Sequence, residues 1–246
     1  MTRKLLPLLL IAAAPSWAAI TFVQGKAFDA SSGAFPSAVT AGNLLVVVVA
    51  NTNSTNTSAN TWHVGDTVNG ASSYAGVASN SLGGHVGVYN FFYKANTAGG
   101  ANTVSMGSGS SGVTSIYIAE FSGAATSSPL DATVANANGS SSDPTASALT
   151  PTVAGDLVVG FAMVSGSVTS GHYQTGWKDF YGGTTGTVTS DGYMPIWIVD
   201  STTAAETAKW TDSQSTWDAA AISLKASGGG GGTTVIPRMT LLGVGP

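Results

Sequence analysis

The chain of 246 residues contains no cysteine, so neither a disulfide framework nor a cysteine-ligated metal can stabilise it. Charged residues make up 8% of the sequence, against roughly 25% in a typical soluble domain. The formal net charge is −4, or −6 without Arg3 and Lys4, so the basic footprint that binds nucleic acid or anionic lipid is missing. Small polar residues fill the surface instead, which suits an exported wall, matrix or virion protein.

Histidines and nucleotide-binding motifs are also scarce. The three histidines are His63, His85 and His172, and no pair has the His-x-His or His-x-x-x-His spacing that marks a zinc site. No nucleophile elbow, Walker motif or dinucleotide motif stands in the strand–turn–helix context that its chemistry needs. We therefore predict no metal site and no cofactor of these classes.

Acidic residues are too scattered to predict a catalytic centre. Glu120 lies in a predicted strand, and glycoside hydrolysis would require a second carboxylate about 5–10 Å away. Asp179 or Asp191 could supply it, but no spacing demands this. We interpret Glu120 as a lone strand residue and predict no catalytic residue.

Calcium is the one cofactor that the sequence leaves open. Four isolated aspartates lack the Asp-x-Asp-x-Asp run of a calcium loop: Asp66, Asp131, Asp143 and Asp156. Backbone carbonyls and one or two of these carboxylates could still hold Ca²⁺ in a sandwich loop.

Long hydrophobic runs are missing except at the start of the chain. Arg3 and Lys4 precede the apolar stretch Leu5–Ala14, and small residues follow up to Ala18 and Ala19. This pattern predicts a secretory signal peptide over residues 1–18, with an apolar stretch too short to span a bilayer. No other segment reaches about 18 apolar residues, so we expect no stable transmembrane segment and a secreted, extracellular or cell-surface location.

Two short runs of branched apolar residues dominate what is present. Ala41–Asn51 contains six consecutive branched apolar residues, Leu44–Val49, after a turn-prone Gly-Asn pair. Ala154–Gly166 repeats this Ala-Gly-Asn/Asp-Leu start 113 residues later. Unbroken β-branched runs of this length predict central strands that are covered on both faces.

The similarity between these runs extends into two halves, over about 19–124 and 125–226. In each half a polar loop follows the central run, then a tryptophan (Trp62 or Trp177), an alternating strand and a hairpin-like strand pair. Many short strands between Gly, Asn and Ser turns predict an all-β, jelly-roll-like antiparallel β-sandwich, built from two similar halves. Two tandem small sandwiches are the alternative architecture.

A resemblance covers roughly Ala19–Ala226. The segments Ala-Gly-Asn-Leu-Leu-Val-Val, Phe-Phe-Tyr-Lys-Ala-Asn, Gly-Gly-Ala-Asn-Thr-Val, Ala-Glu-Phe-Ser-Gly and Ser-Ser-Pro-Leu-Asp-Ala-Thr occur in this order from residues 41 to 133. The chain thereby resembles a widespread uncharacterised domain of exported bacterial and some phage-associated proteins. The resemblance implies an all-β surface or structural module and supplies no catalytic residues.

Aromatic residues concentrate in His172–Tyr181. Flat rings beside amide and hydroxyl groups are suited to stacking on sugars, so Tyr173, Trp177 and Tyr181 are candidate carbohydrate-binding residues. The alternative interpretation is that Trp177, like Trp62, anchors the core.

The C-terminal segment differs from the usual polar chain end. Residues 227–232 form a glycine-rich linker, followed by an apolar, β-prone tail over 233–246. Such a tail could complete a neighbour's sheet by strand addition, with Pro237 at an edge position. The candidate assembly residues are Val235, Ile236, Leu241, Leu242 and Val244. Packing on its own domain and anchoring are the alternatives.

These observations favour a secreted, non-catalytic structural or adhesive module that associates with itself, as an oligomer or a filament, by strand addition of its tail. We expect no binding of nucleic acid. A carbohydrate-binding module with a polysaccharide partner is the second hypothesis. A glycoside-type hydrolase with Glu120 as its acid is the third.

Overall fold

The computed structural model describes residues 19–51, 62–77, 86–107, 115–132, 135–164, 172–181, 195–211 and 216–228. These residues form strands and no helix, which confirms the predicted all-β class. The predicted signal peptide, residues 1–18, and the tail 233–246 lie outside the described residues. In chain order the strands are β1 (Thr21–Phe28), β2 (Ser32–Ala34), β3 (Leu44–Asn51), β4 (Val64–Asp66), β5 (Ala75–Gly76), β6 (Val88–Lys94), β7 (Thr103–Met106), β8 (Ser115–Ser122), β9 (Ala135–Gly139), β10 (Leu157–Val164), β11 (His172–Tyr173), β12 (Lys178–Asp179), β13 (Ile196–Val199), β14 (Trp210–Thr211) and β15 (Trp217–Leu224).

Two five-stranded sheets form the body of the molecule. The first has the order β1-β8-β3-β6-β5 and the second β12-β13-β10-β15-β9. Neighbouring strands in both sheets pair antiparallel. The sheets pack face to face through one shared hydrophobic cluster, so the predicted antiparallel β-sandwich is confirmed.

The two central strands, β3 and β10, are buried along their whole length. Alternate residues of β3, such as Leu44 and Val46, face the second sheet, whereas Leu45 and Val47 face outward into a separate cluster. Because side chains alternate between faces, a strand with apolar residues at every position must be covered on both. The uninterrupted apolar runs are therefore explained by burial on two sides.

Aromatic rings fill the middle of the shared cluster. Phe161 of β10 projects between the rings of three residues of the opposite sheet. Its ring centroid lies 5.0 Å from that of Tyr89, 5.8 Å from Tyr117 and 6.5 Å from Phe91. The contacts with Tyr89 and Phe91 are edge-to-face and that with Tyr117 is tilted, so ring geometry adds to the hydrophobic burial that joins the two halves.

Smaller sheets cover the outer faces. The three-stranded sheet β2-β7-β4 packs on the first main sheet, and the two-stranded sheet β11-β14 packs on the second. The expected hairpin-like pairing of β7 with β8 is wrong, because β7 lies in the outer layer and β8 in the main sheet. The chain changes layers between these strands, which local alternation cannot indicate.

The two main sheets have equivalent strand orders and registers. Leu44 of β3 pairs with Phe121, and Leu157 of β10 pairs with Leu224. The short edge strands β5 and β12 also pair with corresponding residues of β6 and β13, and this register matches Trp177 with Tyr74 rather than with Trp62. Both aromatic side chains are buried in the outer clusters of their halves.

The sandwich has two unlike ends. At the terminus end, Thr21 pairs with Ser122, Ala124 bridges Ala226, and both ends of the described domain lie together. At the opposite end, β3 and β10 finish and β6, β8 and β15 begin. The sequences that join strands there, 52–61, 78–85, 108–114, 165–171 and 212–215, consist largely of Gly, Ser, Thr and Asn.

Candidate functional site

The aromatic candidates occupy different environments. Trp177 is 2% exposed and packs in the outer cluster of the second half, so its ring offers no face to a sugar. Its backbone N–H donates to the carbonyl of Gln174 at 3.3 Å in a tight turn. This position agrees with the core-anchor interpretation.

Tyr173 and Tyr181 flank a buried carboxylate, that of Asp179. The Tyr173 hydroxyl donates to Oδ2 of Asp179 at 3.4 Å, and the backbone N–H of Tyr181 donates to Oδ1 at 3.0 Å. Burial, together with the negative charges of Asp179 and Asp29, raises the pKa of Tyr181 to about 12. Tyr181 is 43% exposed, so a neutral phenol ring is accessible on this surface.

Glu120 is fully buried at the end of β8. Its Oε1 accepts hydrogen bonds from the backbone N–H of Thr40 at 2.7 Å and the amide of Asn43 at 2.6 Å. Its Oε2 accepts from Nε2 of Gln24 at 2.6 Å, and Gln24 in turn accepts from the N–H and hydroxyl of Ser37. Both carboxylate oxygens therefore hold loop and strand together and face no solvent. Asp191, a suggested partner, lies outside the described residues.

The corresponding position in the second half contains a carboxyl pair. By register, Ser223 occupies the place of Glu120, and Asp156 that of Asn43. Asp131 accepts from the backbone N–H of Thr152 at 2.7 Å, from its hydroxyl, and from the Ser223 hydroxyl at 3.3 Å. Oδ1 of Asp156 accepts from the N–H of Ala226 at 3.0 Å.

The pKa values of Asp131 and Asp156 are shifted in opposite directions. Burial, followed by the charge of Asp131 and a hydrogen bond between the two carboxyls, raises the pKa of Asp156 to about 6. Burial also disfavours the charged form of Asp131, but hydrogen bonds from Thr152, Asp156 and Ser223 outweigh it and hold the pKa of Asp131 below its usual value. Below about pH 6, a neutral Asp156 can therefore donate to a charged Asp131.

Asp66 organises a turn of the first half. Its Oδ1 accepts from the backbone N–H groups of Val68 and Asn69. Its Oδ2 accepts from the Asn69 amide at 2.8 Å, the Tyr74 hydroxyl at 2.7 Å and the Asn102 amide at 3.0 Å. Burial opposes ionisation, yet these bonds, led by that from Asn102, lower the pKa of Asp66. Donors thus surround this suggested calcium ligand.

The candidate metal ligands do not converge within the described ranges. Among these residues, no group of three or more His, Asp or Glu side chains could hold a metal ion. Asp143 lies 3.8 Å from the ammonium of Lys209, and His63 is exposed. His85 and the side chain of His172 lie outside what the structure describes.

A cleft opens between the sheets at the edge formed by β1 and β13. It has a volume of about 470 Å³ and is lined by Ile20, Thr21, Phe22, Gly176, Lys178, Trp197, Ile198 and Val199. The rings of Phe22 and Trp197 stack with centroids 5.5 Å apart, and Nζ of Lys178 lies 5.1 Å from the Trp197 ring. The sequence did not single out this cleft, because its walls come from opposite halves of the chain.

Comparisons of the chain with protein-family models, with curated proteins and with solved structures find no match in any of the three. Within the portion of the chain that the structure describes, no helix has the length and apolar character needed to cross a membrane.

Proposed function

We propose that the protein is a secreted, non-catalytic structural or adhesive module that assembles with copies of itself through its C-terminal tail. The observation that carries this proposal is the difference between the two ends of the sandwich. Both ends of the described domain lie at the terminus end, whereas hydroxyl- and amide-rich connections join the strands at the other. A module held through its tail would thus display the opposite end.

The buried acids support a non-catalytic role. Glu120 uses both of its oxygens to brace the first half, and Asp131 is held by Thr152 and Ser223. A general acid must reach the proton acceptor of its substrate, at hydrogen-bond distance or through one water. Glu120 cannot do so while its carboxylate remains inside the protein.

Assembly would use the apolar tail as an added strand. Edge strands present backbone groups to which another chain can pair, and side-chain pockets then select the added segment. The tail begins after the glycine linker, which separates it from the domain. The low charge of the surface offers little electrostatic resistance to association.

The test compares the chain from Ala19 with the same chain carrying Val235→Asp and Ile236→Asp, by sedimentation velocity and negative-stain microscopy over a range of concentrations. We expect concentration-dependent oligomers or filaments for the unmodified tail and monomers for the variant. A control with Thr233→Ser and Thr234→Ser keeps the apolar residues and should assemble. Equal assembly of all three chains would contradict the proposal.

Carbohydrate binding is a second candidate because Tyr181 exposes its ring beside Tyr173. Stacking on a sugar would be lost in Tyr181→Ala, whereas Tyr181→Phe should retain most of it. A glycan array followed by titration with the best polysaccharide measures this difference. No response on the array, or equal affinity for Tyr181→Ala, would exclude this surface as a sugar site.

A further inference from the structure

The cleft at the β1–β13 edge exposes apolar side chains from both halves beside the polar side chains of Thr21 and Lys178. Phe22, Ile198 and Val199 are only half-buried there, although each packs against a hydrophobic cluster. Its volume of about 470 Å³ falls within the roughly 300–1,000 Å³ of clefts that hold compact ligands. Covering apolar surface of this kind is favourable, so the cleft is suited to a short apolar segment.

Strand pairing stops short on both sides of this cleft. β12 pairs with β13 only through Lys178↔Trp197 and Asp179↔Ile196, so within the described residues Ile198 and Val199 have no strand on that side. β1 likewise pairs with β8 alone. β13 runs toward the terminus end, so a segment entering the cleft from that end would run antiparallel to β13, as all described neighbours do.

The chain leaves the domain beside this opening. The N–H of Ser227 donates to the carbonyl of Gly123 at 2.7 Å, and the next residue toward β8, Ser122, pairs with Thr21 on the cleft wall. With strands about 5 Å apart, the exit lies on the order of 10 Å from that wall. The five glycines 228–232 can span up to about 17 Å when extended.

The sequence beyond the linker fits the cleft. Thr233, Thr234, Val235 and Ile236 are β-branched residues that favour an extended strand, and Pro237 ends the pairing because it lacks an N–H. A tether this short gives the tail an effective concentration near the millimolar range at its own cleft. At lower protein concentrations the cleft of the same copy therefore meets the tail more often than a neighbour's does.

We infer that residues 233–237 dock into the β1–β13 cleft of their own copy and close it. This inference rests on the proposed function, in which the tail joins copies of the chain. It adds a means by which the protein would regulate that assembly. A copy whose tail occupies its own cleft cannot offer that tail to a neighbour. Assembly therefore begins only at concentrations where neighbouring copies compete with the copy's own cleft for the tail. The partner of the cleft is thus the chain itself.

The test uses the absence of native cysteine. Lys178 is exposed at the cleft, so Lys178→Cys with Val235→Cys places one thiol on each side of the inferred contact. In the full chain at low micromolar concentration, we expect oxidation to give an internally cross-linked monomer. The control pair, Asn138→Cys with Val235→Cys, uses an exposed position on β9, at the far edge of the second sheet, and should cross-link little.

A second readout does not depend on disulfide geometry. The single Lys178→Cys thiol should react with a maleimide roughly tenfold more slowly than in the same chain carrying Val235→Asp and Ile236→Asp, as for a contact closed about nine-tenths of the time. Cross-linked dimers in place of monomers would overturn docking within one copy while supporting assembly. No cross-link and equal maleimide rates would overturn the docking site itself. The oligomeric state of the unmodified chain is measured separately. If it still forms oligomers, the docking inference fails while the proposed function stands; if it forms none, the proposed function fails as well.

Discussion

The two halves of the sandwich place the same strands in the same order, yet they stabilise the start of the central strand with different chemistry. In the first half a buried Glu120 accepts hydrogen bonds from neutral amides, among them Asn43. In the second half Asp156 stands in the place of Asn43, and burial and the neighbouring Asp131 raise its pKa to about 6. The apolar pattern is common to both halves, whereas the polar support is not. At this position we therefore expect the stability of the second half to depend on the ionisation of Asp156.

The outer faces differ in a similar way. Val47 of β3 is buried under the outer sheet of the first half, but Gly160 has the corresponding register in β10. A Cβ on Gly160 would lie 2.4 Å from the Cβ of Ala208 and 3.2 Å from the Trp210 ring. The second half thus exchanges a valine in the sheet for a tryptophan in the layer above it. The space between the layers is filled from the main sheet by Val47 in the first half and from the outer layer by Trp210 in the second.

The largest effect is expected from Phe161→Ala, because this ring joins the two halves. Removal of a buried phenylalanine should lower the free energy of unfolding by about 3–5 kcal/mol. Because the core is shared, both halves should unfold in one transition, seen at the same denaturant concentration by tryptophan fluorescence and circular dichroism. Two separated transitions in the unmodified protein would contradict the shared core and favour two independent sandwiches.

Glu120→Gln should be the next most destabilising change. The substitution removes the charge that accepts three hydrogen bonds and points an N–H₂ group at other donors, so we expect a loss of about 2–3 kcal/mol. Denaturant titration at pH 7 measures it. Asp143→Asn is the control, because Asp143 forms only a half-exposed ion pair with Lys209 and should change stability little. If Glu120→Gln left the free energy of unfolding unchanged, the hydrogen bonds of Glu120 would make no net contribution to stability.

Gly160→Ala tests the exchange of volume between layers. The added methyl group would overlap Ala208 and press on Trp210, so we expect a loss of about 1–3 kcal/mol. Gly76→Ala in the edge strand β5 is the matched change, since its nearest neighbour is the Phe92 ring at 3.2 Å and an edge can shift more readily. Equal stability of the two variants would mean that the layers are not tightly packed over Gly160.

The smallest effect at ordinary pH, and the most specific, concerns Asp156. Its pKa is raised in the folded protein to about 6, so its stabilisation is complete below its unfolded pKa of about 3.9 and is lost as pH rises through 6. The lowered pKa of Asp131 acts in the opposite sense, at pH values below its usual range. The melting temperature should therefore decline between pH 5 and pH 7.

Exchange of the two residues sharpens this comparison. Asp156→Asn copies the first half and should remove the decline, whereas Asn43→Asp places a second acid beside Glu120 and should create one there. Melting temperatures of both variants across the same pH range provide the measurement. A decline that persists in Asp156→Asn would assign the pH response to another group, such as Glu206, whose pKa is raised by burial and by Asp200.

Much of the fold was predictable because burial on two faces leaves a clear signal. The apolar runs in Ala41–Asn51 and Ala154–Gly166 predicted strands with cover on both sides, and the structure has them at the centre of each sheet. The layer change between β7 and β8 was not predictable, since the sequence of neither strand indicates which layer it joins.

The polar sites were less accessible to sequence reasoning. Glu120 looked like an ordinary strand residue, because the partners that bury it come from distant segments around Gln24 and Asn43. Phe22 and Trp197 likewise meet from opposite halves. Trp177 and Trp62 are both buried, in agreement with the alternative that they anchor the core, although the position that corresponds to Trp177 in the first half is Tyr74 rather than Trp62.

The position of both ends of the described domain on one side also decides how the domain would respond to mechanical load. Pulling the two ends apart acts across the strands, so β1 would peel from β8 one hydrogen bond at a time, at low force. Pulling between the tail and the opposite end acts along the strands, so many hydrogen bonds would resist together in shear. A module attached by its tail and gripped at its far end would be loaded in its stronger direction.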